Sequence, residues 1–359
     1  MLLISLTKTV LRSISLSESI MRNLIISLFL ITIHFLDSSE RPPLIDQSKY
    51  EVYEDIVWVS KETFDLSLDI YVPNSSLNKL PVLLIFHGGG WLIRDKSIMD
   101  QMAQYISSNS EIIVCNINYR LLSDLNNTVK MNEIVEDVFG SLLWVKNNIH
   151  LYKGDSTQVA VTGDSAGGHL ASMIVNSGDR ISFNNNFAKS LKFTPTFIPK
   201  LSEEQILKQM NVKASIISYG AFDIYAGAVD GFESYKNPFW AFSRSSPRKL
   251  FGEDFDHVNN PDMYKAVSPL YNIPEAKEKT LPPQLLLVGS NDRLTTPKSV
   301  KDYLNAVKEK GHQVSYWEYP GKGHAFLDSG NNYFLGTNFE RDAPEALDKM
   351  INFLESVFK

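Results

Sequence analysis

Five short apolar runs, separated by segments with helical periodicity, constrain the fold of this chain most strongly. The runs occupy residues 82–86, 112–115, 159–161, 214–217 and 284–288. Continuous apolar runs of strand length are typical of central parallel strands that helices cover on both faces. Between them, residues 131–148 and 298–310 place apolar side chains on one helical face. This alternation predicts an α/β protein with a doubly wound, mostly parallel sheet and helices on both faces.

Three further segments refine that prediction. Residues 64–70 alternate apolar and polar side chains, which predicts a strand with one solvated face near an edge of the sheet. Residues 178–211 and 224–280 interrupt the strand and helix rhythm. We expect both to be insertions above the sheet, forming a cap over a pocket within one domain of residues 40–359.

Charge and cysteine content exclude several classes of function. The chain has 359 residues and a net charge of −6, with no long run of Lys or Arg. This acidic balance lacks the electrostatic footprint of a nucleic-acid-binding protein, so no nucleic-acid partner is expected. The single cysteine, Cys115, lies in an apolar run, where a packing role is expected and no intramolecular disulfide is available.

The N-terminus predicts a leader over residues 1–39. Met21, Arg22 and Asn23 precede a mainly apolar stretch at 24–36, which is typical of a secretory signal and short for a membrane span. Met21 is an alternative start to Met1. We therefore expect a secreted or exported protein, with an uncleaved membrane anchor as the alternative and a membrane partner only in that case.

The segment 163–168 places Ser165 between glycines at a predicted strand-to-helix junction. A serine on such a sharp turn is exposed at the edge of an α/β sheet, where it acts as a nucleophile in acyl transfer. The Gly-x-Ser-x-Gly pattern is weak evidence alone, so Ser165 needs partners at the same edge of the sheet. Catalytic residues in α/β sheets follow the carboxyl ends of strands.

His324 and Asp292 satisfy that requirement. His324 follows the predicted strand at 314–319, whereas His312 precedes it and therefore lies at the opposite edge. Asp292 follows the strand at 284–288 and precedes His324 by about one helix and one strand. We predict that His324 is the general base and that Asp292 orients its imidazole ring.

The oxyanion hole is predicted from a second glycine-rich loop. Gly88, Gly89 and Gly90 follow the strand at 82–86, and their backbone N–H groups are free of side-chain obstruction. We predict that Gly88, Gly89 and Ala166 donate to the oxyanion. A phosphate-binding loop is the competing interpretation, but the required spacing is absent. We expect His87 to brace this loop, and we expect neither a metal nor a cofactor.

These motifs together resemble the α/β-hydrolase superfamily, and within it the esterases related to hormone-sensitive lipase. The resemblance covers roughly residues 60–359 and implies the same triad and oxyanion hole. The motifs that carry it lie at 87–91, 118–121, 163–168, 281–283, 291–294 and 323–326. The chain departs from the core subgroup, because Leu122 and Ser123 replace the usual Ala-Pro-Glu and the acid loop lacks Asp-Pro-Leu. It is also similar to kynurenine formamidases and to esterases that release acetyl or feruloyl groups from sugar esters.

The expected function is that of a serine carboxylesterase that hydrolyses short- or medium-acyl esters of small molecules through an acyl-enzyme intermediate. The alternatives are an arylformamidase-like amidase and, in a different class, a non-catalytic esterase-like binding module. We expect aromatic side chains to line the substrate pocket. The candidates are Trp91 and Phe326, together with some of Tyr235, Phe239, Trp240 and Phe242.

Overall fold

The computed structural model describes residues 44–184 and 186–358, and its central feature is an eight-stranded sheet with the order β1-β2-β4-β3-β5-β6-β7-β8. The strands are β1 (Tyr50–Ser60), β2 (Asp65–Pro73), β3 (Leu80–Phe86), β4 (Ile113–Ile117), β5 (Gly154–Asp164), β6 (Ser215–Ser218), β7 (Gln284–Gly289) and β8 (Val314–Tyr319). All pairings from β4 to β8 across the sheet are parallel. Only β1 and β2 run antiparallel to their neighbours. The predicted fold class is confirmed.

The longer helices all contact the sheet. The longer helices are α1 (Asp100–Asn109), α3 (Met131–Asn148), α4 (Ala166–Ser177), α10 (Pro297–Glu309) and α12 (Pro344–Val357). Helix α4 contacts α3, β5 and β6, whereas α1 contacts α12 and β4. The prediction of a helix at 131–148 is confirmed to the residue, and the helix predicted at 298–310 begins and ends one residue earlier.

Helix α10 illustrates how the sequence sets these boundaries. The Thr296 side chain accepts a hydrogen bond from the Ser299 amide, and Pro297 occupies the first helical position. A capping Thr followed by Pro is a helix-start signal because both accommodate the unpaired N–H groups of the first turn. Val300 and Val307 are buried on one face, so burial of the apolar stripe holds the helix against β7 and β8.

The strand predicted at 64–70 lies near an edge of the sheet, as expected, but it is not the edge strand itself. The edge strand is β1, whose residues 51–55 are all exposed, and its only continuous apolar run is the short one at 56–59. Both β1 and α1 contact β2. As a result, every residue of β2 from Leu68 to Pro73 is buried, and this part of the strand has no solvated face. The alternation at 64–70 therefore predicts the strand correctly but not a solvated face along its length.

Shorter elements lie in the two interrupting segments and in other connections between the longer elements. They are α2 (Asp124–Asn127), α5 (Phe187–Ser190), α6 (Glu203–Gln209), α7 (Ile224–Val229), α8 (Phe239–Phe242), α9 (Pro261–Ala266), β9 (Asn331–Asn332), β10 (Thr337–Asn338) and α11 (Phe339–Asp342). Only α5 and α6 fall within 178–211, and only α7 to α9 fall within 224–280. Strands β9 and β10 form a two-stranded hairpin after β8.

The predicted leader at residues 1–39 lies outside the described residues. The compact unit Ile45–Lys359 contains every predicted site residue. Across residues 44–184 and 186–358, no helix combines the length and the apolar character that a membrane span requires.

The parallel register brings the predicted site residues to one edge of the sheet. Strands β3 and β5 pair with Phe86 opposite Gly163, so the loops after both strands begin at the same level. Strands β7 and β8 pair with Gly289 opposite Tyr319. The four loops that carry Gly88, Ser165, Asp292 and His324 therefore leave the sheet side by side.

Candidate active site

Ser165 occupies a tight turn between β5 and α4. Its backbone has φ +51° and ψ −115°, a region that a residue with a side chain rarely adopts. The turn closes because two glycines allow backbones to touch. A Cβ on Gly167 would lie 1.8 Å from the Phe86 carbonyl oxygen, and one on Gly163 would lie 2.3 Å from the Gly167 carbonyl. No residue with a Cβ fits at either position.

Ser165, His324 and Asp292 form a continuous hydrogen-bonded chain. His324 Nε2 lies 3.0 Å from Ser165 Oγ, and His324 Nδ1 lies 2.8 Å from Asp292 Oδ2. A carboxylate accepts, so Nδ1 carries the proton, and Nε2 is left as the acceptor for the serine hydroxyl. The structure thus brings together the three residues that the sequence singles out, in the geometry of a nucleophile, a base and an orienting acid.

Backbone amides hold Asp292 in place. Its Oδ1 accepts hydrogen bonds from the amides of Leu294 at 2.8 Å and Thr295 at 3.0 Å, while the Thr295 hydroxyl reaches Oδ2 at 3.2 Å. Asp292 is almost fully buried. With its oxygens occupied in this way, the carboxylate has one orientation in which it also faces the imidazole.

The loop that carries His324 is fixed against the loop that carries Asp292. The Asn291 amide donates to the Lys322 carbonyl at 2.8 Å, and a Cβ on Gly289 would lie 2.3 Å from that same oxygen. The Tyr219 ring contacts the imidazole edge to face, with centroids 4.8 Å apart. The imidazole is therefore positioned both by the backbone of its loop and by the Tyr219 ring that packs against it.

The glycine loop after β3 lies beside the nucleophile. Gly89 has φ +113° and Gly90 has φ +62°, conformations that glycine adopts without steric cost. The Gly89 carbonyl accepts from the Leu92 and Ile93 amides, which turns the loop tightly. Gly88 and Gly89 line the same cavity as Ser165.

Ala166 is the first residue of α4, so its N–H belongs to the helical turn that has no intrahelical acceptor. Gly88 is close to the acidic neighbour of the nucleophile, because a Cβ there would lie 2.4 Å from Asp164 Oδ2. All three predicted donors are thus located beside the nucleophile.

His87 braces this loop from below. Its ring stacks on Tyr119 with centroids 4.3 Å apart, its Nδ1 lies 2.8 Å from the Gly88 carbonyl, and the Tyr119 hydroxyl donates to the His87 carbonyl at 2.6 Å. Burial lowers the pKa of His87 to about 4. A neutral, stacked histidine with this geometry supports the loop rather than binding a metal.

A cavity of about 370 Å³ opens in front of Ser165. Its lining is mostly apolar, with a few charged and polar side chains. The lining residues are Gly88, Gly89, Ile93, Arg94, Ile98, Asp164, Ser165, Pro238, Phe239, Phe242, Leu294, His324, Ala325, Asp328, Asn332, Phe334 and Leu335.

The prediction that Trp91 and Phe326 line the substrate pocket is wrong. Trp91 turns into the core, where its indole N–H donates to His169 Nδ1 at 3.1 Å. Phe326 is fully buried against the rings of Tyr219 and Tyr319. In each of these loops a nearby residue, Gly89 or Ala325, lines the cavity instead.

The four further aromatic candidates divide evenly. Phe239 and Phe242 line the cavity, whereas Trp240 is fully buried and Tyr235 is exposed outside the lining. The helix α8 explains why Trp240 differs from Phe239 and Phe242, because residues 239 and 242 lie on one helical face and residue 240 on another.

Sequence reasoning missed the contribution of the segment after His324. Asp328, Asn332, Phe334 and Leu335 all line the cavity, from the hairpin β9–β10 and the turn before it. This segment has no periodic pattern that predicts a strand or helix. Its one usable signal is proximity in sequence, since Asp328 lies four residues after the predicted base.

The two carboxyls in the cavity are strongly perturbed. Burial raises the pKa of Asp164 well above its ordinary range, with the nearby Asp328 carboxylate as the next cause. Burial likewise raises the pKa of Asp328 to about 6, against the opposing influence of Asn332, His324 and Arg94. Perturbed groups in a cleft are typical of functional sites.

No metal site emerges from the part of the chain that the structure describes. Among those residues, no group of three or more His, Cys, Asp or Glu side chains is placed to hold an ion. Cys115 is buried in β4, where burial raises the pKa of its thiol and leaves it in a packing role.

Comparison with known proteins places this architecture among esterases. The BD-FAE family model matches residues 68–306. Esterase LipQ from Mycobacterium tuberculosis is 27% identical over 251 residues, which cover 69% of this chain and 51% of that protein. Carboxylesterase NlhH from the same species is 30% identical over 110 residues, or 31% of this chain and 33% of that protein. The match thus spans about a third to a half of the length of these curated relatives.

Solved structures share the fold. Thermogutta terrifontis esterase 2 phosphorylated by paraoxon superposes with a TM-score of 0.61 at 20% identity, covering 87% of this chain and 95% of that one. The propionate-bound form of the same esterase gives a TM-score of 0.59 at 20% identity, covering 88% and 96%. At this level of identity the likeness establishes the α/β-hydrolase fold.

Proposed function

We propose that this chain, which belongs to the BD-FAE family, is a serine hydrolase that cleaves carboxylic esters through an acyl-enzyme intermediate. The observation that carries the proposal is the chain of hydrogen bonds from Asp292 through His324 to Ser165, which ends in a cavity lined by the glycine loop. Esterase activity in LipQ and NlhH is consistent with this chemistry.

The proposed reaction begins with proton transfer. Ser165 Oγ attacks the ester carbonyl carbon as His324 Nε2 accepts the hydroxyl proton, and Asp292 stabilises the imidazolium through its bond to Nδ1. The carbonyl π electrons move to oxygen, and the resulting oxyanion accepts hydrogen bonds from the Gly89 and Ala166 amides, with Gly88 as a third donor.

Collapse of the tetrahedral intermediate completes the first half. The bond to the leaving alkoxide breaks as His324 gives up its proton to that oxygen, and the acyl group remains on Ser165. A water molecule then repeats the sequence in the second half: His324 accepts its proton, hydroxide attacks the acyl carbon, and Ser165 leaves with the proton restored. The products are a carboxylic acid and an alcohol.

The cavity supports short or medium acyl groups. Its volume of about 370 Å³ lies at the lower end of the range for small-molecule sites. Ile93, Ile98, Leu294 and Leu335 supply apolar walls, against which an alkyl chain of a few carbons buries its surface.

The decisive experiment removes the nucleophile. We expect Ser165→Ala to lower kcat on p-nitrophenyl butyrate by at least about a thousandfold, because loss of the nucleophile removes covalent catalysis. Ser299→Ala is the matched control, since Ser299 is exposed on α10 and outside the cavity, and it should retain full activity. Undiminished hydrolysis by Ser165→Ala would overturn the proposal.

Covalent labelling provides a second readout. We expect a fluorophosphonate probe to label the folded protein at Ser165, in line with the phosphorylation of Thermogutta terrifontis esterase 2 by paraoxon. Labelling should disappear in Ser165→Ala and persist in Ser299→Ala. A folded protein that is not labelled would favour a non-catalytic binding module instead.

We also propose that residues 1–39 form a leader that directs export. The basic residue Arg22 before the apolar stretch at 24–36 supports this assignment. N-terminal sequencing of the protein from its native host tests the proposal: a mature chain that begins near residue 40 supports a cleaved signal, and one that begins at Met1 or Met21 supports an anchor or no processing.

A further inference from the structure

The cavity in front of Ser165 combines two lining types that the triad does not use. One is a pair of carboxyls, Asp164 and Asp328, and the other is a set of phenyl rings from Phe239, Phe242 and Phe334. An apolar cavity for simple alkyl esters needs neither buried carboxyls nor an aromatic wall.

Asp164 is the more unusual of the two carboxyls. Its side chain is only 2% exposed, and its Oδ1 has no hydrogen-bond partner among the described residues. A buried oxygen without a partner costs free energy that most proteins avoid. An oxygen of this kind in a wall of a substrate cavity is explained if a ligand group satisfies it.

Asp328 supplies the negative charge. With its pKa raised to about 6, the carboxyl is ionised at pH 7, whereas Asp164 keeps its proton because burial and the Asp328 charge both disfavour a second anion. The charged and titratable groups that face the pair are His324, Arg94, Tyr219 and Tyr119. Arg94 lies on the exposed part of the lining, where water screens its charge.

The phenyl rings form one continuous wall. Phe239 and Phe242 have ring centroids 6.2 Å apart, and Phe242 and Phe334 have centroids 5.9 Å apart. Aromatic faces attract organic cations through their quadrupoles, most strongly where water is partly excluded. A carboxylate together with aromatic rings is the combination that recognises an ammonium group.

We propose that this cavity binds esters that carry a positively charged ammonium group, with Asp328 as the anionic partner, Asp164 as a polar partner beside it, and Phe239, Phe242 and Phe334 as the aromatic wall. The proposal rests on the ester hydrolysis proposed above and adds its substrate class. The cation sits beside the reacting ester, so its charge acts on substrate selection and not on the bonds that form and break.

Two pairs of esters with equal shape and different charge test the proposal. Acetylcholine and 3,3-dimethylbutyl acetate differ in the alcohol part, and the phenyl esters of 4-(trimethylammonio)butyrate and 5,5-dimethylhexanoate differ in the acyl part. We expect kcat/KM to favour the charged member by about tenfold in one of the pairs, the scale of a screened charge contact at the protein surface. Equal kcat/KM within both pairs would overturn the proposal.

The ratio within a pair is the readout for variants, because a change in general activity cancels. Asp328→Asn should bring the ratio close to one. Asp302→Asn is the matched control, since Asp302 is an exposed carboxylate on α10 outside the cavity, and it should keep the wild-type ratio. In the wild type the ratio should rise from pH 5 to pH 8 as Asp328 ionises. A ratio that survives in Asp328→Asn would show that Asp328 does not select the cation.

A binding experiment separates this proposal from the proposed hydrolysis. Calorimetry with the Ser165→Ala variant compares choline with 3,3-dimethylbutanol and needs no turnover. Tighter binding of choline supports the ammonium site even if no ester is hydrolysed, and equal binding contradicts the site even if simple esters are good substrates.

Discussion

The edge of the sheet that holds the triad and the rim of the cavity in front of it are built on different principles. At the sheet edge, backbones approach so closely that Gly163 and Gly167 have no room for a side chain, and Asp292 is held by backbone amides. At the rim, α8 and the hairpin β9–β10 are short, and Phe242 and Phe334 are exposed. Chemistry is thus placed by the parallel sheet, whereas substrate contacts are placed by elements that the sheet does not dictate.

The largest test of this contrast is Asp292→Asn. The amide conserves the shape of the side chain but favours the wrong imidazole tautomer, so we expect kcat to fall by about 10⁴-fold, as in related triads. The variant should remain folded, as judged by circular dichroism. A loss below about tenfold in kcat would mean that the orientation of His324 does not depend on the carboxylate.

A matched pair of glycine substitutions compares the two regions directly. Gly167→Ala places a Cβ 1.8 Å from the Phe86 carbonyl oxygen, so the turn must open, and we expect a loss of activity of at least about a hundredfold, as when a small misplacement disrupts a reactive geometry. Gly336→Ala meets no neighbour within 4 Å, but Gly336 has φ +70°, so it should cost only about 1 kcal/mol of stability.

Kinetics on p-nitrophenyl butyrate and thermal unfolding measure both glycine effects. Gly336→Ala should retain most of its activity. Similar losses of activity in the two variants would contradict the view that the rim tolerates change better than the sheet edge.

Two phenylalanines, eight residues apart, sharpen the same contrast in stability. Phe326 is fully buried, whereas Phe334 is 82% exposed. We expect Phe326→Ala to lower the free energy of unfolding by about 3–5 kcal/mol through loss of burial and the cavity left behind. Phe334→Ala should change it by less than about 0.5 kcal/mol and should instead raise KM a few-fold. Urea unfolding and steady-state kinetics on the two variants separate these outcomes.

The smallest expected effect concerns His169, whose side chain is fully buried. Burial lowers the pKa of His169 to about 4, below its ordinary value of 6.5, so the folded state favours the neutral ring. The contribution of His169 to stability is therefore fully present above pH 6.5 and is lost as the pH falls towards 4. We expect the decrease in Tm between pH 7 and pH 5 to be a few degrees smaller in His169→Gln than in the wild type.

His150→Gln serves as the control for this pH experiment, because His150 is exposed. Its change in Tm between the two pH values should match that of the wild type. Raised pKa values of buried carboxyls act in the opposite direction, and the comparison between variants removes their contribution. If the decrease in Tm between pH 7 and pH 5 is the same in His169→Gln as in the wild type, the His169 ring does not resist protonation.

The contrast between the sheet edge and the cavity rim also explains which features of the fold and the site could be predicted from the sequence. Continuous apolar runs marked β3 to β7 because central strands are buried on both faces, and strand ends then located Ser165, Asp292 and His324. The strand β1 is not predicted although residues 56–59 are apolar, because an exposed edge strand is not required to be apolar along its length and residues 51–55 are all exposed. Periodicity reports burial, so elements that are not buried leave little trace in it.

The pocket was harder to predict than the triad for a related reason. Trp91 and Phe326 lie in loops beside residues of the proposed active site, yet both side chains are buried in the core. Loop backbones do not alternate with a fixed period, so the sequence does not tell which side chain faces the cavity. Asp328, Asn332 and Phe334 lie in a hairpin whose two strands have only two residues each, too short for any pattern.

The hairpin β9–β10 has a practical consequence for protein engineering. Its tip carries Tyr333 and Phe334, which are 91% and 82% exposed, and its two-residue strands pair only with each other. Residues 333–335 are therefore a suitable target for a saturation library. Such a library would sample new selectivities at little cost in expression yield, whereas one built around Gly167 would consist mostly of misfolded members.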